Sequence, residues 1–169
     1  MKKIACLSVL FILFFSIIDA QSFLKTSGKQ IVNEKNENVL LRGIGLGGWM
    51  LQEGYMLKLN GTNPQYSIRK RIDSLLSPAQ TQDFYDTWLS NFVTRADIDS
   101  LHKWGFNSVR LPMHYNLFTL LVDKEPDSTK QTWLTKGFEL TDSLLSWCKA
   151  NNMYLILDLH AAPGGQGRE

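Results

Sequence analysis

The sequence predicts an α/β fold built on parallel strands, a barrel or an open sheet, with functional groups at the carboxyl ends of those strands. Three observations carry this. Phe106-Asn107-Ser108-Val109-Arg110-Leu111-Pro112 is a short apolar run ending on a charged side chain, and an arginine so placed needs an anionic or polar partner close by. Met153 to His160 repeats the design, apolar through Leu157 and then Asp158 and His160. Helix-like and strand-like patterns alternate between Val39 and His160, the order that crossovers give to parallel, buried strands. In such sheets the site lies at the carboxyl edge.

The elements follow in order. Phe23-Leu24-Lys25-Thr26 and Gln30-Ile31-Val32, separated by Ser27-Gly28, read as a β-hairpin cap. Val39-Leu40-Leu41-Arg42-Gly43-Ile44 reads as the first buried strand. Gly43, Gly45, Gly47 and Gly48 then form a loop whose backbone can approach another surface closely. No amphipathic helix opens directly after that loop, so a dinucleotide fingerprint is rejected.

Ser77-Pro78-Ala79-Gln80 is a helix start, with serine as N-cap, proline at the first position and glutamine at the third. Thr94-Arg95-Ala96-Asp97 is a second capping box. It opens a helix with Ile98, Leu101 and Trp104 on one face, stopped by Gly105. After a long connection from Met113 to Lys130, Phe138 to Ala150 is the next helix, with Leu140, Leu144, Leu145 and Cys148 inward and Asn151-Asn152 at its end.

Composition narrows the function classes. At 44% hydrophobic and 20% charged, the chain has a globular balance and not a disordered one. A net charge of +2 with no basic stripe argues against a nucleic-acid partner. Lys2 and Lys3, the apolar run Ile4 to Ile18 and the Asp19-Ala20-Gln21 junction read as a secretory signal over residues 1–20, cleaved after Ala20; an uncleaved anchor is the alternative. The expected destination is extracellular or periplasmic, with no stable membrane insertion after cleavage. Cys6 lies inside the signal, so Cys148 alone remains and no internal disulfide can form. His102, His114 and His160 have no metal-ligand spacing, which ranks a metal-dependent hydrolase low; no metal and no cofactor are expected.

Three segments together resemble glycoside hydrolase family 5, retaining glycosidases on a (β/α)8 barrel. They are Leu41-Arg42-Gly43-Ile44-Gly45-Leu46-Gly47-Gly48-Trp49, Gly105 to Pro112, and Leu157-Asp158-Leu159-His160-Ala161-Ala162-Pro163-Gly164-Gly165-Gln166, similar to the first three barrel strands in order. Gly47-Gly48-Trp49 and Glu53-Gly54-Tyr55 are most similar to the branch containing exo-β-1,3-glucanases and related β-glucosidases. The resemblance implies an acid/base and a nucleophile carboxylate about 5–5.5 Å apart at the ends of the fourth and seventh strands. Neither strand is in this sequence, and full barrels take roughly 250 residues. The expectation is therefore an amino-terminal part of a longer glycosidase over residues 21–169, comprising about the first three β/α units. This segment alone would be inactive because both catalytic carboxylates would lie past Glu169.

What the resemblance assigns here is a set of binding residues. Arg110 orients the nucleophile carboxylate and keeps it ionised. His160 donates to a sugar hydroxyl. Glu53 accepts from hydroxyls of a terminal glucose, and Trp49 and Tyr55 line the same subsite; His114, by its place just past the second strand and not by the resemblance, is a candidate to line the cleft. Asp158 reads as a structural acid that, in a regular strand, points the opposite way from His160 and bonds backbone near Arg110. The implied substrate is a β-glucan or β-glucoside. The plainer readings remain open: an ordinary ion pair for Arg110, a structural histidine at 160 and a solvated acid at 53. The alternative to a glycosidase part is a non-catalytic glucan-binding or remnant product.

Overall fold

The computed structural model describes residues 22–59, 61, 64–127 and 129–165. The signal segment over 1–20 and Gln166 of the third motif lie outside them. Strands β1 (Lys25–Ser27) and β2 (Gln30–Val32) pair antiparallel across a turn at Gly28, whose φ of 60° suits glycine. This is the expected hairpin, shifted two residues so that Phe23 stays outside it and 92% exposed.

The second sheet has three parallel strands in the order β3 (Gly43–Gly45), β4 (Ser108–His114) and β5 (Tyr154–Ala161). Helices α1 (Gln65–Leu75), α2 (Pro78–Asn91) and α3 (Arg95–Lys103) lie between β3 and β4, and α4 (Thr135–Ala150) between β4 and β5. The sequence pattern alternates as expected, with differences that have physical causes.

The expected six-residue strand from Val39 is only Gly43–Gly45 and is exposed, with Leu40 69% open to solvent. The side chain of Asn107 takes over the missing ladder. It accepts from the Arg42 amide at 2.7 Å and donates to the Leu40 carbonyl at 2.9 Å. β5 is likewise not fully buried, with Leu157 and Leu159 more than half exposed. Among the described residues β3 and β5 are the two edge strands, each paired on one side only.

The helix starts were legible because their caps are in the sequence. The Ser77 hydroxyl accepts from the Gln80 amide while the Gln80 side chain accepts from the Ser77 amide. Thr94 and Asp97 make the same box at the head of α3. Gly105, at φ 88°, turns the chain from α3 into β4. Trp104 caps α3 one residue past its last turn, so it leaves the inner face and is 74% exposed. α4 starts three residues before Phe138. On it Leu144 and Cys148 are fully buried, whereas Leu145 sits beside that stripe and is 52% exposed. α1 was not foreseen: its N-cap is Pro64 without a side-chain cap bond, and its one buried residue is Ile68.

The core lies between the helices and one face of the sheet. Val109 and Leu111 of β4 meet Ile98, Leu101, Leu144 and Cys148 there. Burial pushes the Cys148 thiol up to about 11, so it packs as an inert apolar group.

Gly137 of α4 shows how tight this layer is. A Cβ there would stand 2.6 Å from the Leu117 carbonyl oxygen and 2.8 Å from the Phe118 ring. Gly137 is the third residue of α4, and exchanging a glycine in helical conformation for alanine ordinarily stabilises by about 0.4–1 kcal/mol through the unfolded chain. Gly137→Ala is expected to do the reverse, lowering stability by about 1–3 kcal/mol through overpacking, as urea unfolding would read.

Candidate active site

Parallel pairing sets Arg110 of β4 opposite Ile156 of β5, and Pro112 opposite Asp158. Side chains alternate along a strand. Val109 and Leu111 therefore enter the core, while Arg110 points to the other face of the sheet with Asp158 and His160. Gly45 on β3 leaves room beside it, a Cβ there lying 3.6 Å from Arg110 Nη1.

The three polar side chains form one cluster on this face; β4 runs on to His114, so Arg110 is third of its seven residues and not at its carboxyl end as expected, while His160 is next to last in β5. Arg110 Nη2 makes an ion pair with Asp158 Oδ2. His160 Nδ1 lies 2.9 Å from that same oxygen and 2.9 Å from Arg110 Nη2. Arg110 thus has the anionic partner its position demands. Asp158 bonds the guanidinium itself and not the backbone near it, and it faces the same way as His160 and not the opposite way, which corrects the sequence reading twice. The signal for it was present: residues 158 and 160 are two apart on a strand and share a face. The cluster is partly open, with Arg110 44% exposed and Asp158 27%.

Glu53 and Tyr55 lie together in the loop after β3. The Tyr55 hydroxyl donates to Glu53 Oε2 at 3.4 Å, and the Glu53 carbonyl accepts from the Met56 and Leu57 amides. Partial desolvation, then the adjacent Glu53 carboxylate, raise the Tyr55 phenol above its ordinary range.

Trp49 is placed differently from the sequence expectation. It is 1% exposed and belongs to the core, its indole N–H donating to the Leu89 carbonyl at 2.8 Å. Trp88 answers from α2, donating to the Gly48 carbonyl at 3.0 Å. Gly48, at φ 85°, packs where a Cβ would press on the Phe92 ring at 2.9 Å. The glycine-rich loop approaches α2 closely, as its composition predicted.

His114 borders a cavity of about 660 Å³ between the loop after β4 and helices α1 and α2. Its polar wall was not read from the sequence. Gln52 accepts from the Tyr85 hydroxyl at 3.3 Å, Gln65 accepts from the Gln52 amide at 2.8 Å, and the Asn116 amide donates to His114 Nδ1 at 3.3 Å. Arg110 and His160 are not among the walls of this cavity.

Burial holds the His114 imidazole below its ordinary range, opposed in part by a hydrogen bond with the Asn116 side chain. The unfolded chain then binds that proton more tightly than the folded one. Stability is full above about pH 6.5 and falls as pH drops from there toward the folded value. Replacing His114 with glutamine is expected to flatten this acid limb of a stability–pH curve.

Among the described residues no group of three or more histidine, cysteine, aspartate or glutamate side chains could hold a metal, and no helix is long and apolar enough to cross a membrane.

The family model for cellulase, glycosyl hydrolase family 5, matches residues 72–168, a span that takes in α2, α3, β4, α4, β5 and the Arg110 cluster. The chain belongs to glycosyl hydrolase family 5. It is 34% identical over 148 residues to a β-xylosidase of Phanerodontia chrysosporium, covering 88% of this chain and 29% of the relative. It is 28% identical to a glucan 1,3-β-glucosidase of Candida oleophila, covering 77% of this chain and 31% of that protein. The crystal structure of a rutinosidase from Aspergillus niger superposes with a TM-score of 0.54 at 22% identity, over 73% of this chain and 34% of its own. This likeness and the family membership place the parallel sheet and its helices in a barrel-type α/β fold. The chain spans about three tenths of the length of the curated relatives it matches.

Proposed function

We propose that this chain is the amino-terminal part, the first three β/α units, of a secreted retaining glycosidase that hydrolyses O-glycosyl bonds of β-glucans or β-glucosides. The observation that carries the reading is Arg110. It stands third of seven residues in a parallel strand, on the face away from the core, ion-paired to Asp158 and against His160, in a chain of family 5. A guanidinium there has donors left to bind and orient a nucleophile carboxylate from a later strand. The acid/base and the nucleophile are supplied outside this segment, about 5–5.5 Å apart, for double displacement. His160, Glu53 and Tyr55 contact the sugar. His114 and Trp49 act from the neighbouring cavity wall, Trp49 chiefly by holding the Gly47-Gly48 loop in place. No cofactor enters, and residues 1–20 direct export.

The test compares two products. The purified 169-residue chain is expected to turn over no aryl β-glucoside. The product of the reading frame continued past Glu169, through an Asn-Glu on a fourth strand, is expected to do so. Turnover by the short chain, abolished in Glu53→Gln, would overturn this division of labour.

A further inference from the structure

Arg110 Nη2, Asp158 Oδ2 and His160 Nδ1 form a closed triangle. Nη2 pairs with Oδ2, and Nδ1 is 2.9 Å from each. A ring nitrogen carries one proton or one lone pair. Nδ1 therefore donates to Asp158 or accepts from Arg110, and does not do both.

The other two corners decide which. A carboxylate oxygen has only lone pairs, and Oδ2 can take a proton from each neighbour. The two N–H bonds of the guanidinium amino group diverge by about 120° in a rigid plane, too wide to aim at two atoms that are themselves in contact. With one N–H directed at Asp158, the other points away from His160. An unprotonated Nδ1 would set lone pair against lone pair at 2.9 Å from the carboxylate.

We propose that Asp158 is a positioning residue that holds His160 as its Nδ1–H tautomer, leaving Nε2 as a hydrogen-bond acceptor beside the Arg110 donors. The ring's orientation and the place of its proton are both set by the carboxylate two residues earlier on the same strand. The neutral ring then accepts a hydrogen bond from a ligand hydroxyl where the family resemblance has it donating one. The cluster offers one acceptor and several guanidinium donors, a match for a ligand that presents a hydroxyl donor next to an oxygen acceptor. That last step rests on the glycosidase reading; the tautomer does not.

The chain has three histidines, 102, 114 and 160, so long-range proton–nitrogen NMR of ¹⁵N-histidine-labelled protein at mildly alkaline pH resolves each neutral ring. His160→Gln identifies the signal by its loss. The expected pattern for His160 is a pyrrole-type Nδ1 and a pyridine-type Nε2. In Asp158→Ala the proton is expected to move to Nε2. A wild-type His160 protonated at Nε2, or an unchanged tautomer in a folded Asp158→Ala protein, overturns the proposal. Should Asp158→Ala fail to fold, the wild-type pattern decides alone. No substrate is needed, so a failure of the glycosidase reading leaves this result standing, and a wrong tautomer sinks it whatever the enzyme hydrolyses.

Discussion

Arg110→Met is expected to lower kcat/KM on an aryl β-glucoside by about 10²–10³-fold in the longer enzyme, the size typical of removing one preorganised donor to a reacting charge. Methionine keeps the unbranched stem and removes every N–H. Lysine is expected to recover little, since it presents a point charge without the planar fork that serves Asp158 and a second carboxylate together. The same substitution should leave the fold nearly untouched. The side chain is 44% exposed and faces away from the core, and an ion pair that open contributes about 0–1 kcal/mol. Equal losses of activity and of stability would mean that Arg110 is an ordinary structural pair.

Trp49→Ala is expected to behave in the opposite way, costing about 3–5 kcal/mol of stability in urea unfolding. The indole is 1% exposed, packs in the main core and donates to the Leu89 carbonyl 40 residues along the chain. Removing it leaves a cavity and an unpaired buried carbonyl, and frees the loop that Trp88 and Phe92 also grip. Trp49→Phe is expected to retain most of the packing and lose the hydrogen bond, about 1 kcal/mol. If Trp49→Ala unfolded at the wild-type midpoint and only weakened glucan binding, the indole would be a sugar platform and its place in the core would be wrong.

These two residues mark where the sequence was legible. Arg110 could be read because a strand's alternation and parallel register are local rules: an arginine between two buried aliphatics must face away from them and needs a partner. Asp158 obeys the same alternation two residues before His160 and so shares its face, but the sequence reading set it on the opposite face and against backbone, so both its direction and its target were misread. Helices α2 and α3 were visible because Ser77, Gln80, Thr94 and Asp97 write their caps into the chain. Trp49 had no such rule. A tryptophan in a glycine-rich loop turns in or out according to an acceptor on a distant helix, and no period in the sequence records it. α1 lacked both a side-chain cap and an apolar stripe, so its one buried residue, Ile68, gave no pattern to find. The cavity wall of Gln52, Gln65, Tyr85 and Asn116 is assembled from four separate segments, and its composition looks like ordinary polar surface until they meet.

The central claim is that the Arg110 cluster belongs to the catalytic face of a retaining glycosidase. The most direct measurement is proton NMR of the anomeric signal as the longer enzyme hydrolyses an aryl β-glucoside. The β-anomer of the released sugar should appear first and then mutarotate, and Arg110→Met should slow the signal's growth by about 10²–10³-fold. First appearance of the α-anomer, or hydrolysis undiminished by Arg110→Met, would contradict the account.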